Sequence, residues 1–509
     1  MKSIYFYLFL IGIFISSCDK GFEELNKNPT MSVSLDPAYL FAQAQLSSTR
    51  NAAQYQDAIV QQLVCPFGSS WEGGNHNIWF ENTGDNGIFG AFYATPVKLL
   101  TDVIDKTKNT PSSSNLYNMA RIWKAYLFQV LVDTYGDVPY FQAGQAFLNG
   151  IFLPPYDPAE TIYTDLLKEL SEATVALDAS KVVIKNDLFY KGDIATWKKL
   201  GNSLLLRVAM RYTKVDPSKA KEYVAIATNP ANGGLINSNA ANAMIILNSN
   251  FTSPYSGIFI GSEQSNFYLA KPFVDYLKNT NDPRLKVISV LYDFPANPLS
   301  TVGYANTNPA DQIGMPMGYD NVSISTAPDY PGKTGSAWKY SQGNRSTIGK
   351  INAPYFFVTY SQTQLLLAEA VQRGWVSGNV SALYNAAVKG HMDQMAIYDL
   401  SATISSSDQD AYLAANPLVA STALEQINSQ YWVSSFLESK EGWANFRRSG
   451  FPALVPNPYP GADPVVKDGF IRRLIFPSRE RAVNAANYEV VVARMGPDNL
   501  ATSIFWDKL

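Results

Sequence analysis

The chain has 509 residues, and 46% of them are hydrophobic, which excludes disorder as its main state. Only 16% are charged and the net charge is −3, so no broad basic face is available for a nucleic-acid partner. Two histidines are too few to favour a zinc site with several histidine ligands, and we expect no metal ion and no other cofactor.

The chain begins with the pattern of a secretion signal. Lys2 precedes an apolar run over residues 4–15, which is too short to cross a bilayer. The run ends at Ile15-Ser16-Ser17-Cys18, a sequence that resembles a bacterial lipoprotein box; an ordinary secretory signal with an incidental cysteine is the alternative. We predict cleavage before Cys18 and attachment of lipid to its thiol and new amine.

This prediction divides the chain into three parts. Residues 1–17 form the signal peptide, residues 18–30 form a lipidated tether, and residues 31–509 form a single body. The one other cysteine, Cys65, has no partner for an internal disulfide, so we expect its thiol to be buried.

Helical periodicity dominates the body. Between Asn118 and Tyr135 apolar side chains recur at helical spacing and make one wide face. Asp-Pro pairs predict helix starts with an Asp cap and Pro at the first helical position, at Asp36-Pro37, Asp157-Pro158 and Asp216-Pro217. Further helices are predicted near 196–212, 360–373, 380–394 and 424–440.

Long stretches rich in Asn, Ser, Gly, Pro and aromatic residues separate these helices, near 65–88, 229–270, 292–350 and 451–470. Loops of this length inside a folded body are usually functional. The sequence therefore predicts one large, mostly α body with elaborate loops.

The segment from 67 to 93 carries the best candidates for ligand contact. Aromatic faces suit the C–H faces of a sugar ring, and Asn, Asp or His side chains suit its hydroxyls. From Phe89 onward, helical spacing favours ordinary core instead. The candidates are Trp71, Asn75, His76, Asn77, Trp79, Asp85 and Asn86.

A second candidate group contains Trp338, Tyr340, Asn344 and Arg345, with Tyr255 and Tyr319 as expected neighbours. The alternative for these rings, as for those of the first segment, is a purely structural role.

Several segments resemble the SusD/RagB family of outer-membrane lipoproteins. The most specific stretch is Glu441-Gly442-Trp443-Ala444-Asn445-Phe446-Arg447-Arg448-Ser449-Gly450-Phe451-Pro452. Shorter matches follow the family order along the whole mature chain: Phe22–Asn26, Tyr135–Tyr140, Trp197–Leu204, Asn281–Leu285, Gly314–Gly318, Leu367–Ala370 and Phe505–Asp507.

The resemblance implies tetratricopeptide-like helix pairs in a superhelical scaffold, with a loop-rich irregular half. It also implies non-catalytic binding of a nutrient, commonly an oligosaccharide, at the cell surface, and its delivery to a SusC-like TonB-dependent β-barrel in the outer membrane. Two alternatives remain open. One is a glycoside hydrolase whose carboxylate pair is drawn from Glu72, Glu81 and Asp85, and the other is a helical-repeat scaffold for protein partners.

Overall fold

The computed structural model describes residues 35–49, 54–67, 76–78, 87–261, 264–293 and 305–508. The predicted signal peptide 1–17 and the tether that contains Cys18 lie outside these residues.

Helices build the amino-terminal half, and most of the longer ones pack on the next long helix along the chain. The long apolar helix predicted before Tyr135 is confirmed as α5, and Trp123 within it is fully buried. These helices are α1 (Pro37–Ser47), α2 (Gln54–Ile59), α3 (Ile88–Phe92), α4 (Lys98–Thr107), α5 (Ser114–Tyr135), α6 (Ala146–Asn149), α7 (Ala159–Ala176), α8 (Ile194–Met210) and α9 (Pro217–Thr228).

The second half alternates short helices with loops before the helical pattern returns. In this part α13 packs on α14 and α16, and α8 joins the two halves by packing on α13. The helices are α10 (Ser256–Phe259), α11 (Lys271–Asn279), α12 (Leu285–Ile288), α13 (Tyr360–Gln372), α14 (Val380–Tyr398), α15 (Ser406–Ala415), α16 (Ala423–Ser434), α17 (Ser439–Ser449), α18 (Ser478–Val483) and α19 (Ala485–Met495).

The strands are short, and several pair with strands far along the chain, whereas β6 and β7 form a hairpin. β1 pairs with β3, β2 with β9, β4 with both β5 and β8, and β6 with β7, all antiparallel. They are β1 (Leu63–Val64), β2 (Ala243–Ile245), β3 (Tyr268–Leu269), β4 (Ser289–Tyr292), β5 (Ala305–Asn306), β6 (Lys333–Thr334), β7 (Ala337–Trp338), β8 (Gln342–Gly343) and β9 (Tyr355–Val358).

Two of the three predicted Asp caps are confirmed. Asp36 caps α1 and Asp216 caps α9, each by accepting a backbone N–H of the first turn. The prediction for Asp157 is wrong, because α7 begins after Pro158. The Asp157 carboxylate instead accepts the N–H groups of Tyr140 and Phe141, at 2.8 and 3.0 Å.

The single helix predicted over 424–440 is also wrong. The chain leaves α16 at Ser434, passes through Leu437 at φ 65°, and starts α17 at Ser439. This turn directs α17 back into the body, where Glu441 contacts Arg207 of α8 and Arg211, which follows the end of α8. The buried thiol expected for Cys65 is confirmed.

Buried charges join the two halves. The Glu441 carboxylate lies 2.7 Å from the guanidinium of Arg211 and 3.6 Å from that of Arg207, and Arg211 also contacts Asp133 of α5 at 3.1 Å. Burial alone would raise the pKa of Glu441, but Arg207 and Arg211 outweigh it and lower that pKa to about 2. The group is therefore ionised and fully paired at neutral pH.

We expect Glu441→Gln to lower the free energy of unfolding by about 3–5 kcal/mol, because two buried arginines then face one carboxylate. Urea unfolding followed by circular dichroism measures this loss. Asp275→Asn is the matched control, since its 2.6 Å ion pair with Lys271 is exposed and such pairs contribute at most about 1 kcal/mol. Equal effects of the two substitutions would contradict this account of the network.

Candidate functional site

A small second core lies apart from the main one and carries the candidate site. It contains Val64, Tyr268, Ala270, Met315, Met317, Ile324, Ala327, Trp338 and Tyr340, and the half-buried rings of Phe67, Tyr319 and Tyr330 pack against it. We call this set the aromatic cluster. Its members come from β1, β3, β7 and the loops around them, so short strand pairing positions it.

The second candidate group lies in this cluster, and the first candidate segment reaches it through Phe67. The ring of Phe67, at the start of the first candidate segment, lies 5.4 Å from the ring of Trp338. The backbone N–H of Trp338 donates to the hydroxyl of Tyr268 at 3.0 Å, which fixes the β7 strand against β3. Lys333 places its ammonium group 4.7 Å from the Trp338 ring.

His76 links the first segment to the loop that carries Tyr319. Its Nε2 lies 3.4 Å from the Tyr319 carbonyl oxygen, and its ring stacks on Tyr459 at 4.4 Å. The Tyr459 hydroxyl donates to Asp320 at 3.0 Å. Burial lowers the pKa of His76 below its ordinary value, against the opposing effects of Tyr319 and Asp320, so the imidazole is neutral at pH 7.

Four polar side-chain atoms in and around this region are buried without a hydrogen-bond partner among the described residues. They are the Trp338 Nε1, the Tyr340 hydroxyl, the His76 Nδ1 and the Asn457 Nδ2. Buried polar groups of this kind cost free energy unless they find a hydrogen-bond partner.

Tyr340 is the best-defined of these groups. It is 3% exposed, and burial together with Tyr330, Tyr319 and Asp329 raises its pKa to about 12. Its hydroxyl therefore stays protonated and can both donate and accept.

The structure describes only some of the predicted site residues. Trp71, Asn75, Trp79, Asp85 and Asn86 lie outside the described residues, as do the carboxylates Glu72 and Glu81. Asn77 is described and buried, with φ 51° and its carbonyl oxygen accepting the N–H of Asp463 at 2.9 Å.

Tyr255 is not near the cluster, because its hydroxyl donates to Asp57 in the main core at 3.1 Å. Sequence reasoning missed Tyr330, Asp320, Asn457 and Tyr459. The last two stand in the Pro- and Gly-rich loop 456–461, where no periodicity marks a functional side chain.

Two cavities elsewhere in the described structure are poorly suited to a sugar. A closed cavity of about 20 Å³ beside Glu438 and Gln394 has room for one water molecule. An open groove of about 550 Å³ between Lys199, Gly234 and Leu367 has no aromatic ring in its described lining. Neither offers a platform for a sugar ring.

The buried Asp57 lies near the closed cavity. Burial raises its pKa to about 7, against hydrogen bonds from Ser439 and Tyr255 and the charge of Lys440. This carboxyl group gains a proton well above the pH at which it does so in an unfolded chain.

Comparison with known proteins identifies the class. A family model for SusD-like proteins, described as starch-binding and associating with the outer membrane, matches residues 27–477. The chain belongs to this SusD-like family; it is a non-catalytic nutrient-binding protein of the outer membrane. No curated protein matches the sequence. None of the described helices is both long and apolar enough to cross a bilayer.

Three solved structures show the same fold, and each matches 93% of this chain. One is a chitin-binding protein with 29% identity and a TM-score of 0.80 over 100% of its own length. Another is a SusD-like protein of the Bacteroidetes, with 25% identity and a TM-score of 0.79 over 100% of its length. The third, a chitin-binding SusD homologue from Flavobacterium johnsoniae, has 21% identity and a TM-score of 0.76 over 98% of its length. The tetratricopeptide-like fold implied by the resemblance is confirmed.

We expect Tyr340→Phe to weaken glycan binding about fivefold, which is the effect of losing one neutral hydrogen bond, without lowering the melting temperature. Titration calorimetry and thermal melting measure the two effects. Tyr268→Phe is the matched control, because its hydroxyl already bonds to Trp338 and Ser265 and its loss should reduce stability. Unchanged affinity in Tyr340→Phe would show that this hydroxyl does not contact the ligand.

A second prediction concerns Asp57. Because its pKa is higher in the folded state, the free energy of unfolding should fall as pH rises from about 4 to about 7. In Asp57→Asn the unfolding free energy should fall less steeply with pH, and the change in slope should correspond to about one bound proton. Urea unfolding at a series of pH values measures this slope. An unaltered profile in Asp57→Asn would refute the assignment.

Proposed function

We propose that the protein binds an oligosaccharide at the aromatic cluster and passes it to a SusC-like TonB-dependent β-barrel. The observation that carries this proposal is a set of polar atoms at Trp338, Tyr340 and His76 that have no hydrogen-bond partner among the described residues and lie around half-buried aromatic rings. Sugars combine apolar ring faces with hydroxyl groups that both donate and accept. Such a ligand supplies contacts for the rings and partners for the polar atoms together.

The polar atoms of the cluster match hydroxyl chemistry rather than a charged ligand. The Trp338 Nε1 can only donate, the Tyr340 hydroxyl donates and accepts, and neutral His76 offers Nδ1 in either role according to its tautomer. The ammonium group of Lys333 lies over the Trp338 ring, where the aromatic face already offsets its charge. We therefore favour a neutral oligosaccharide over an anionic nutrient.

Trp71, Asn75, Trp79, Asp85 and Asn86 remain proposed ligand contacts of this site. The chain enters their segment at Phe67 and passes through His76 within it, and both residues contact the cluster or its neighbours. Asn77 holds the segment through its backbone, and we assign it a supporting role.

The solved chitin-binding relative with 29% identity makes chitooligosaccharides the first ligands to test. A hydrolase has no support from these comparisons, and neither does a scaffold without a small ligand. The proposed partner is the barrel, and the proposed attachment is lipid on Cys18, with the body exposed at the cell surface.

We expect titration calorimetry to detect chitooligosaccharide binding by the wild-type protein. Incubation of the same mixture for hours should yield no hydrolysis products. Trp71→Ala and Trp79→Ala should each weaken binding by about 2 kcal/mol, or thirtyfold, because a ring platform is lost.

Trp123→Ala and Trp197→Ala are the matched controls, since both rings are fully buried in the main core. They should lower stability by about 3–5 kcal/mol instead. Normal binding by the Trp71 and Trp79 variants would remove this segment from the site. Failure to bind maltooligosaccharides and chitooligosaccharides alike would count against the glycan proposal.

We expect Cys18→Ala to release the protein from the membrane fraction, because the proposed tether depends on that thiol. Metabolic labelling with a radioactive fatty acid, followed by fractionation, tests this. Label retained by the variant would refute lipidation at Cys18.

A further inference from the structure

A proline-rich loop contacts the candidate site through Tyr459. Residues 455–463, which we call the clamp loop, read Val-Pro-Asn-Pro-Tyr-Pro-Gly-Ala-Asp, so every second residue from 456 to 460 is proline. Proline fixes its own φ angle and restricts the residue before it, and the loop therefore loses little conformational entropy on folding. Such a loop is well suited to hold other segments in place.

Hydrogen bonds fix the backbone of the clamp loop. The side chain of Gln61, which follows α2, donates to the carbonyl oxygen of Val455 at 2.6 Å. The buried Asn457 accepts the backbone N–H of Tyr459 at 3.1 Å, and the carbonyl oxygen of Tyr459 accepts the N–H of Ala462 at 3.1 Å. Tyr459 is therefore held from both sides along the chain.

Two contacts tie the clamp loop to the first candidate segment. The Tyr459 ring stacks on the His76 ring, with centroids 4.4 Å apart and planes inclined by 27°. The N–H of Asp463 donates to the carbonyl oxygen of Asn77 at 2.9 Å. The loop thus holds this segment through a side chain and through its backbone.

The clamp loop also contacts the loop that contains Tyr319. The Tyr459 hydroxyl donates to Asp320 at 3.0 Å. The other oxygen of this carboxylate accepts the hydroxyl and the backbone N–H of Ser323, both at 2.7 Å, and these bonds lower the pKa of Asp320 to about 2. The charged acceptor of the Tyr459 hydroxyl is therefore fixed in place at neutral pH.

Tyr459 consequently contacts both sides of the site at once. His76 belongs to the first candidate segment, and Asp320 follows Tyr319, a ring of the aromatic cluster. The Nε2 of His76 faces the carbonyl oxygen of Tyr319 at 3.4 Å. Because a carbonyl oxygen only accepts, this contact selects the neutral tautomer that carries its proton on Nε2 and leaves Nδ1 as an acceptor.

We propose that Tyr459 is a positioning residue of the glycan site, because it clamps the first candidate segment to the loop that contains Tyr319; the inference rests on the proposed function. Side chains that touch a ligand bind it tightly when a second layer of contacts fixes their positions beforehand. The Tyr459 ring and hydroxyl supply that layer to two segments that are far apart in sequence.

The clamp responds to pH through His76. The groups that face its imidazole are the Tyr459 ring, the Tyr319 carbonyl and the Asp320 carboxylate, and Asp463 contacts the next residue. Burial lowers the pKa of His76 below 6.5 against the effects of Tyr319 and Asp320. A proton added at Nδ1 is buried without a hydrogen-bond partner among the described residues. The closed clamp binds fewer protons than an open one, so glycan affinity should fall as the pH drops below about 6.5.

Two substitutions in the full mature chain test the positioning role by titration calorimetry. Tyr459→Leu removes both the stack on His76 and the bond to Asp320, and it should weaken chitooligosaccharide binding about tenfold. Tyr459→Phe keeps the stack and should weaken binding about threefold. Tyr488→Phe is the matched control, because the Tyr488 hydroxyl also donates to an aspartate, Asp498, at 3.0 Å, but its ring packs on the main core. That control should bind as the wild type does.

A spectroscopic readout separates positioning from a purely structural role. The chain has two histidines, so ¹³C-labelled histidine gives two ring signals in NMR. His391 is buried against Arg284, and burial holds its pKa well below the ordinary value, which separates its titration from that of His76. In Tyr459→Leu the pKa of His76 should rise toward 6.5, because a ring that covers the imidazole is lost. The pH dependence of glycan affinity should weaken in the same variant.

Wild-type affinity in Tyr459→Leu, or an unchanged His76 titration in that variant, would overturn the positioning role and leave the glycan proposal intact. Tyr459 is only half-buried, so we expect the melting temperature to stay unchanged. If Tyr459→Leu is unfolded at the assay temperature, Tyr459→Phe carries the test, and wild-type affinity in it would overturn the role equally. A wild-type protein that binds neither chitooligosaccharides nor maltooligosaccharides would instead refute the proposed function, and this inference with it.

Discussion

The structure depends on pairing charges that cannot reach water. Glu441 meets Arg211 at 2.7 Å in the interior, and the Tyr431 hydroxyl donates to the same carboxylate at 2.7 Å. Ionised groups are stable there only when each has a partner and its hydrogen bonds are satisfied. The requirement fixes where α17 lies against α5 and α8, and so sets how the two helical halves meet.

The same network fixes the carboxyl-terminal segment. Arg447 donates to the carbonyl oxygen of Arg472, and the indole of Trp506 donates to Asp133 at 3.0 Å. A second buried set, in which Arg448 reaches Glu369 at 2.6 Å, ties α17 to α13. The helical frame is therefore stabilised by these buried charges together with the carboxyl-terminal segment, and the aromatic cluster lies beside it as a separate feature.

The helices could be predicted because apolar side chains recur at helical spacing, as they do in α5, although α5 is buried on every side from Ala125 to Tyr135. Asp157 was assigned the wrong role because a local pattern cannot show that the backbone of Tyr140 and Phe141 competes for its carboxylate. Likewise, nothing local reveals that Leu63 pairs with Leu269. The candidate site is built from such distant pairings, so sequence suggested two groups of rings but neither the contact between Phe67 and Trp338 nor the contribution of Tyr459.

The long separation between the network's partners constrains the order of assembly. Glu441 lies 230 residues after Arg211, and Trp506 lies 373 residues after Asp133. Until the last part of the chain is available, the helices that carry Asp133, Arg207 and Arg211 cannot complete their own interior. Contacts so distant in sequence slow folding, because a large loop must close before they form. The carboxyl-terminal segment is synthesised last, so the body gains its final stability only when Glu441 and Trp506 reach partners that were made hundreds of residues earlier.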